Sequence, residues 1–530
     1  MKRGEIAESV SRGAFYLAIE KAAALLSGMA YFALLLRWLG PVGYGIMTLA
    51  LSFVGLATMA TGNFEVFLER YAAEYQTHGA LRTLWRAHRL ALLLKLALGA
   101  AASLVLVALA PVLSHQFATP QLALLLPVLA VIVASDAMAT TGRATLYGMQ
   151  EFRWICGLSV AFHVSKTVMV GALWGTRQSL VGLAIGLAVL TVLQAVAAAI
   201  VTAWILRRRM RDEPERPGST PEGPSLLRQM VAYCTPLLGA RMAFLSGQNL
   251  SRIVLGKLFE PALLGYFSFA FQTVERFVEL VYTLPSSLLP SLTALVTRLE
   301  RERLRFVFDQ AFRLIILVAC ALSFCLFVFA PELTRVVGSR LFVPAVPLLQ
   351  ILALVPIFRT SQQPFTMLFQ AMRHPGVVLT LALFKFATEF ACYFLLVPLF
   401  GLQGAGWANL AGAVVSFMVG LVISARLLPE GADERARSVL TCWALLVPLL
   451  GIGYALWRWF PSATGLALRI ALAVVGVVLV FAVGLVTRYD LEKLSSLPLR
   501  TPWSRRARDS FVASADRLVQ AVAPRRAREP

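Results

Sequence analysis

The sequence predicts an all-α polytopic membrane protein, and three observations carry that prediction. The chain is 58% hydrophobic and only 15% charged, with a mean hydropathy of +0.73; a soluble domain would carry roughly a quarter charged residues. Apolar runs long enough to fill about 30 Å of hydrocarbon recur along nearly all of its 530 residues. About two thirds of the 49 Lys and Arg fall in alternate loops, the positive-inside asymmetry that places both termini in the cytoplasm.

The formal net charge is +21, but its distribution excludes nucleic acid as a partner. Most of the excess lies on one side of the membrane, where it sets orientation and meets anionic phospholipid headgroups. The first apolar run is too long for a cleavable signal peptide and no small-residue cleavage site follows it, so the first helix is expected to stay. The six cysteines (Cys156, Cys234, Cys320, Cys325, Cys392 and Cys442) fall in or beside apolar runs without CxxC or zinc-ligand spacing. They read as buried thiols, with no metal expected.

About fourteen spans are predicted, near 13–36, 44–64, 90–111, 121–141, 154–174, 180–206, 229–251, 262–297, 306–330, 345–370, 377–398, 402–425, 439–457 and 465–487. The first two form a hairpin around Arg37-Trp38-Leu39-Gly40-Pro41-Val42-Gly43-Tyr44-Gly45, since Pro41 cannot continue the preceding helix. Arg207 to Arg228 is charged and rich in Pro, Gly, Ser and Thr, with no apolar period, and reads as a solvated cytoplasmic linker. The halves on either side echo each other. Pro41 and Gly45 match Pro261 and Gly265; Leu146-Tyr147-Gly148-Met149-Gln150 matches Leu368-Phe369-Gln370-Ala371-Met372; Leu180-Val181-Gly182 matches Leu402-Gln403-Gly404. All three echoes lie roughly 220 residues apart, which predicts two six-helix lobes in pseudo-twofold relation about an axis along the membrane normal.

The expected organisation is therefore an N-terminal lobe over 1–206, the linker 207–228, a second lobe over 229–428, two extra helices in 429–488 and a basic cytoplasmic tail 489–530. Repeated lobes with a substrate site between them are the architecture of an alternating-access carrier. The tail holds a possible amphipathic turn at Phe511, Leu518, Val519 and Val522, which suits a membrane surface or plain disorder equally.

Ionisable groups deep in apolar spans are the candidate site residues, because each costs at least about 2.5–3.5 kcal/mol there and therefore faces a bundle interior or a wet cavity. Lys166, Arg241, Glu275, Arg276 and Arg359 come out central; Lys21 and Lys385 lie roughly 12 Å from the cytoplasmic ends of their helices. Polar neighbours share their faces: Ser159, His163 and Lys166; Arg241, Gln248 and Arg252; Gln272, Glu275 and Glu279; Arg359, Gln362, Gln363, Thr366 and Gln370. Lys95, Arg313 and Arg469 lie near span ends and are expected to snorkel. What remains is net cationic, which favours an anionic headgroup over a cationic drug.

Several of these residues also suit purely structural roles. Lys385 and Glu389 are four apart and can neutralise each other. Glu20 points away from Lys21 and is expected to pair across helices. Glu275 or Glu279 pairs with a distant base or couples to protons. Asp136, with Thr140 and Arg143, reads as a helix-end group. His163 is a satisfied interior histidine or a proton relay. Gly182, Gly186, Gly404 and Gly412 are expected to allow close helix approach, and Pro127, Pro236, Pro356 and Pro364 to kink their spans.

The segments Leu35-Leu36-Arg37-x-Leu39-Gly40-Pro41-x-x-Tyr44-Gly45, Pro236 to Ala270 (ending Leu264-Gly265-Tyr266-Phe267-Ser268-Phe269-Ala270), Pro344 to Met372 and Val397-Pro398-x-x-Gly401-Leu402-x-Gly404-Ala405 resemble bacterial polysaccharide flippases. These belong to the multidrug/oligosaccharidyl-lipid/polysaccharide exporter superfamily, which also holds the peptidoglycan-precursor flippase. The resemblance covers about residues 5–425. Ser251-Arg252 departs from the Asp-Arg that the family often has near the end of the seventh helix.

The resemblance implies a bacterial inner-membrane flippase for a polyprenyl-diphosphate-linked oligosaccharide, serving surface or exopolysaccharide synthesis. The diphosphate would bind Lys21, Lys166, Arg241, Arg276, Arg359 and Lys385. Glu20, His163, Gln248, Glu275, Glu279, Gln362, Gln363 and Glu389 would serve as cavity or coupling groups. Glycan polymerase or glycosyltransferase proteins are possible partners, and a monomer is plausible. No cofactor is expected. Gly256-Lys257 is followed by Leu258 rather than completing a phosphate-binding loop; HExxH, GxSxG and a soluble nucleotide domain are absent. The chain is therefore read as no enzyme. The alternatives are a cation-coupled multidrug-type exporter and a non-transporting scaffold of a glycan assembly complex.

Overall fold

The computed structural model describes residues 3–77, 79–176, 178–212, 226–281, 288–372, 374–460 and 463–483, with 485, 509 and 513. Nearly all of these residues are helical, and none lies in a strand. Most of the linker 207–228 and nearly all of the tail from Tyr489, including its amphipathic turn, lie outside the described residues.

The long helices are α1 (Arg3–Met59), α3 (Leu81–Gln116), α4 (Leu122–Gly148), α5 (Phe152–Gly175), α6 (Leu180–Asp212), α7 (Leu226–Leu258) and α8 (Pro261–Val281). Shorter α2 (Glu65–Thr77) follows α1, and α9 (Leu288–Thr297) follows α8. Then come α10 (Arg301–Val328), the single turn α11 (Ala330–Leu333), and three short pieces, α12 (Val346–Leu352), α13 (Val355–Ser361) and α14 (Gln363–Ala371). The series ends with α15 (Pro375–Phe400), α16 (Leu402–Leu427), α17 (Ala432–Trp459) and α18 (Ala463–Ala482).

Ten of the described helices are long and apolar enough to cross a membrane, or eleven if the bent pair Arg340–Leu352 and Val355–Ala371 is one span. The fourteen expected from sequence are not reached on that measure. Helix α8 falls short because Glu275, Arg276 and Glu279 crowd its second half, and α7 because Arg228, Arg241, Arg252 and Lys257 dilute its apolar content. The first two expected spans count as one, α1, whose helical conformation breaks at Gly40 (φ 61°, ψ −174°) ahead of Pro41. The rings of Phe32 and Tyr44 lie 6.1 Å apart across that break, whereas twelve residues of straight helix would separate them by roughly 18 Å. The two arms fold back on each other.

Packing divides the chain into two units, Met1–Phe269 with Arg335–Pro344, and Ala270–Thr334 with Ala345–Pro530. In the first, α2 turns off after Gly62 (φ 82°) and buries Phe67, Leu68, Ala72 and Tyr75 while Glu69, Arg70 and Glu74 stay exposed. Gly148 of α4 lets α2 approach: a Cβ there would lie 2.6 Å from Ala72 Cβ. The second unit is built on α10, whose Phe308 and Phe312 pack on Phe365 of α14, and Phe365 packs in turn on Phe417 of α16. The α15–α16 hairpin turns at Gly401 (φ 58°). Gly412 brings α16 so near α15 that a Cβ would lie 2.9 Å from the Lys385 carbonyl oxygen, and one on Gly404 would overlap Leu396. A Cβ built on Gly186 would likewise lie 2.5 Å from Met169 Sδ. Gly182 meets only Gln178 of its own turn, so its expected role in helix approach is corrected.

Two lysine and arginine assignments are also corrected. Lys95 does not snorkel: it is 2% exposed and donates to Glu65 Oε2 at 2.6 Å and Thr140 Oγ1 at 2.9 Å. Arg469 of α18 is also 2% exposed and holds both oxygens of Glu332 at 2.7 and 2.9 Å, with Val328 O at 3.1 Å. A carboxylate within reach inside the protein outcompetes a side chain's stretch to the interface. Arg469→Ala should therefore loosen α18 from the turn after α10. Because Glu332 keeps a quarter of its side chain exposed, the loss should be roughly 2 kcal/mol, short of the 3–5 kcal/mol for a sealed pair. Thermal unfolding of the detergent-purified protein measures it, and an unchanged midpoint refutes the anchoring role.

Candidate functional site

The first unit gathers polar groups from α1, α4 and α5. Glu20, 3% exposed, is ion-paired with Arg143 of α4, which is half exposed. That is the cross-helix pairing expected for Glu20, and it takes Arg143 away from the helix-end role read beside Asp136. Asp136 itself is exposed, and its carbonyl accepts from Thr140 at 2.7 Å. Helix α5 lies against the first arm of α1 through Thr167, which donates to Ser27 O at 2.9 Å. One residue earlier, Lys166 Nζ sits 4.2 Å above the ring of Tyr31, a cation–π contact between the charge and the ring's negative face. Ser159 is buried on the same helix and His163 half-buried, its ring 5.7 Å from that of Phe162. Lys21 is exposed.

The echoed turns meet in this unit. A Cβ on Gly45 would overlap the Pro261 carbonyl oxygen and lie 2.9 Å from Gly265 N; one on Gly265 would overlap the Pro41 carbonyl oxygen. The contact is reciprocal, so the backbones of α1 and α8 touch where each carries Pro-x-x-x-Gly. The segment Arg335–Pro344 closes over it. Phe342 is fully buried with its ring 5.0, 6.0 and 6.4 Å from those of Phe269, Tyr266 and Tyr44. Arg37 donates to Val336 O at 2.6 Å. Nothing in the periodicity of the chain marks Phe342.

In the second unit, the three described residues expected to bind the diphosphate each have an acid. Arg359 of α13 is ion-paired with Glu275 of α8, Arg276 with Glu279 at 3.5 Å, and Lys385 with Glu389 at 3.0 Å. Asn409 of α16 also donates to Glu389 at 2.8 Å. The net-cationic interior expected from sequence is therefore balanced by carboxylates here, and Lys385 and Glu389 follow the mutual-neutralisation reading. Gln362 donates to Ser416 Oγ at 2.7 Å, and Ser416 to Leu381 O at 3.0 Å, so part of the polar stripe on α13 and α14 ties α16 and α15 together. Gln363 is half-buried and Gln370 exposed. The side chains of Arg241 and Gln248 lie outside the described residues. Among the described residues no group of three or more His, Cys, Asp or Glu could hold a metal ion.

A family model described as "Polysaccharide biosynthesis protein" matches residues 10–296, more than half of the chain. The chain belongs to this family. No curated protein matches it. Among solved structures, it is similar to an inward-facing multidrug resistance MATE family transporter of the MOP superfamily, at 15% identity and a TM-score of 0.66, covering 80% of this chain and 99% of that one. It is also similar to the lipid II flippase MurJ in an inward closed conformation, at 12% identity and a TM-score of 0.59, covering 88% and 98%. A MOP superfamily transporter from Pyrococcus furiosus, described by the reverse polarity of its binding pocket, matches at 15% identity and a TM-score of 0.50, covering 80% and 96%. At these identities the likeness establishes the fold. The chain is thus a multi-pass helical membrane protein that shares the fold of those transporters.

Proposed function

We propose that this chain is a flippase that moves a polyprenyl-diphosphate-linked oligosaccharide across the bacterial inner membrane by alternating access, supplying surface or exopolysaccharide synthesis. Both termini lie in the cytoplasm, and two six-helix lobes descend from the repeat read in the sequence. The observation that carries the proposal is Arg359, buried with Glu275 inside the second unit of a polysaccharide biosynthesis family member. Basic groups at such depth cost at least about 2.5–3.5 kcal/mol each, and an anionic headgroup gives them a task. Arg359 offers a planar fork that matches phosphate oxygens. The fold shared with a lipid II flippase supports the same reading.

Depletion of the protein in its own bacterium tests this. Lipid-linked oligosaccharide should accumulate on the inner leaflet, shielded from a membrane-impermeant periodate probe applied outside, while surface glycan falls. Unchanged labelling and glycan would overturn the proposal. Similarity to a multidrug transporter keeps cation-coupled drug export as the second reading; efflux of a cationic dye that stops in Glu275→Gln would favour it. Glycan export retained by Lys166 and Arg359 double mutants at normal protein level would favour a scaffold.

A further inference from the structure

Resting on that reading, we propose that Glu275 is a resident anion for Arg359: it holds the guanidinium when the carrier is empty and is displaced by the substrate's diphosphate. The pair joins two helices, α8 and α13, 84 residues apart in sequence. Its side chains are 11% and 17% exposed, buried enough that an unpartnered charge is costly and open enough for an anion to reach.

Three other buried pairs are built differently. Lys95 and Glu65 are sealed with Thr140, and Arg469 grips both oxygens of Glu332 and a backbone carbonyl. Glu389 is held from two sides, by Lys385 and Asn409. Among the described residues Glu275 bonds to Arg359 alone. Arg276 and Glu279, its charged neighbours on α8, bond to each other on the more exposed face. Arg359 rides on a seven-residue helix in a span bent by 43°, with prolines at 356 and 364. A broken span is tolerated in a membrane where it is buried in protein or lines a wet cavity, and it gives Arg359 a carrier that can shift without unwinding a full helix.

The chemistry of exchange follows. Carboxylate and diphosphate both present paired oxygens to the guanidinium, and the diphosphate carries more charge and more acceptors. Diphosphate therefore wins when present. When it leaves, Glu275 restores neutrality, so the empty carrier does not cross its cycle with a bare buried cation. Substrate selection follows too: a neutral glycolipid cannot displace the carboxylate.

The test uses the full chain in lipid nanodiscs with geranylgeranyl diphosphate as the probe. Glu275→Gln removes the competitor and should tighten binding about tenfold, whereas Arg359→Gln should weaken it by at least about as much. Glu275→Asp keeps the anion and should stay near the wild type. In cells, Glu275→Gln should slow glycan export despite tighter probe binding, because the empty carrier resets poorly. Binding in Glu275→Gln equal to or weaker than the wild type, with Arg359→Gln still impaired, overturns the exchange and leaves the flippase reading intact. Equal binding by all variants overturns the exchange by removing Arg359 from the site; the depletion experiment then judges transport separately.

Discussion

Replacing Gly45 by Leu should leave no folded protein to purify. A Cβ at this position already overlaps the Pro261 carbonyl oxygen and stands 2.8 Å from its carbon and 2.9 Å from Gly265 N. These are backbone atoms on the facing helix, so no rotamer change relieves the overlap and the helices themselves must part. Parting them also opens the reciprocal contact at Gly265 and the seat of Phe342. Gly45→Ala should be milder but clearly destabilising, although alanine favours an isolated helix over glycine by about 1 kcal/mol. That opposition of sign makes the experiment decisive. Gly157 and Gly171 of α5 have no atom within 4 Å of a built Cβ, and alanine there should be neutral or stabilising by up to about 1 kcal/mol. Fluorescence-detected size exclusion and melting of detergent extracts read all four variants. A Gly45→Ala protein as stable as the wild type would show that the helices do not touch there.

Lys95→Ala should cost roughly 3–5 kcal/mol, the penalty for leaving one partner of a buried ion pair behind. Glu65 is 8% exposed and loses its cation, and Thr140 loses a donor at 2.9 Å. The damage should spread to α2, because Glu65 opens that helix and Phe67, Leu68 and Ala72 follow it into the core. Removing both charges, as Lys95→Met with Glu65→Gln, should recover most of the loss, since the expense lies in the widowed charge rather than in the missing attraction. Melting temperature and protease sensitivity at the C-terminal end of α2 measure both variants. A double mutant no better than Lys95→Ala would locate the effect in packing.

These two sites show how differently parts of the molecule are written in the chain. The turn at Gly40 and Pro41 is a local matter of backbone conformation and a missing donor, so it was legible, and so were most of the long apolar helices. The echo of Pro41 and Gly45 in Pro261 and Gly265 was legible as a repeat. That the two copies lie backbone to backbone was not, because a period says nothing about contact. Lys95 and Arg469 were read as snorkelling from their nearness to span ends; their acids lie 30 and 137 residues away, beyond any helical spacing. The acidic stripe on α8 left both a distant base and proton coupling open for Glu275 or Glu279, and only the folded chain pairs Glu275 with Arg359.

The sequence by itself determined that this is a helical membrane protein, where its principal turn falls, and which of its buried charges demand an explanation, because hydropathy and backbone stereochemistry act over a few residues. Tertiary structure decided which of those charges are neutralised, which glycines touch, and that a short strap bearing Phe342 covers their crossing. Pairing in a low-dielectric interior depends on distance in space, and two side chains a hundred residues apart acquire that distance only when the helices pack.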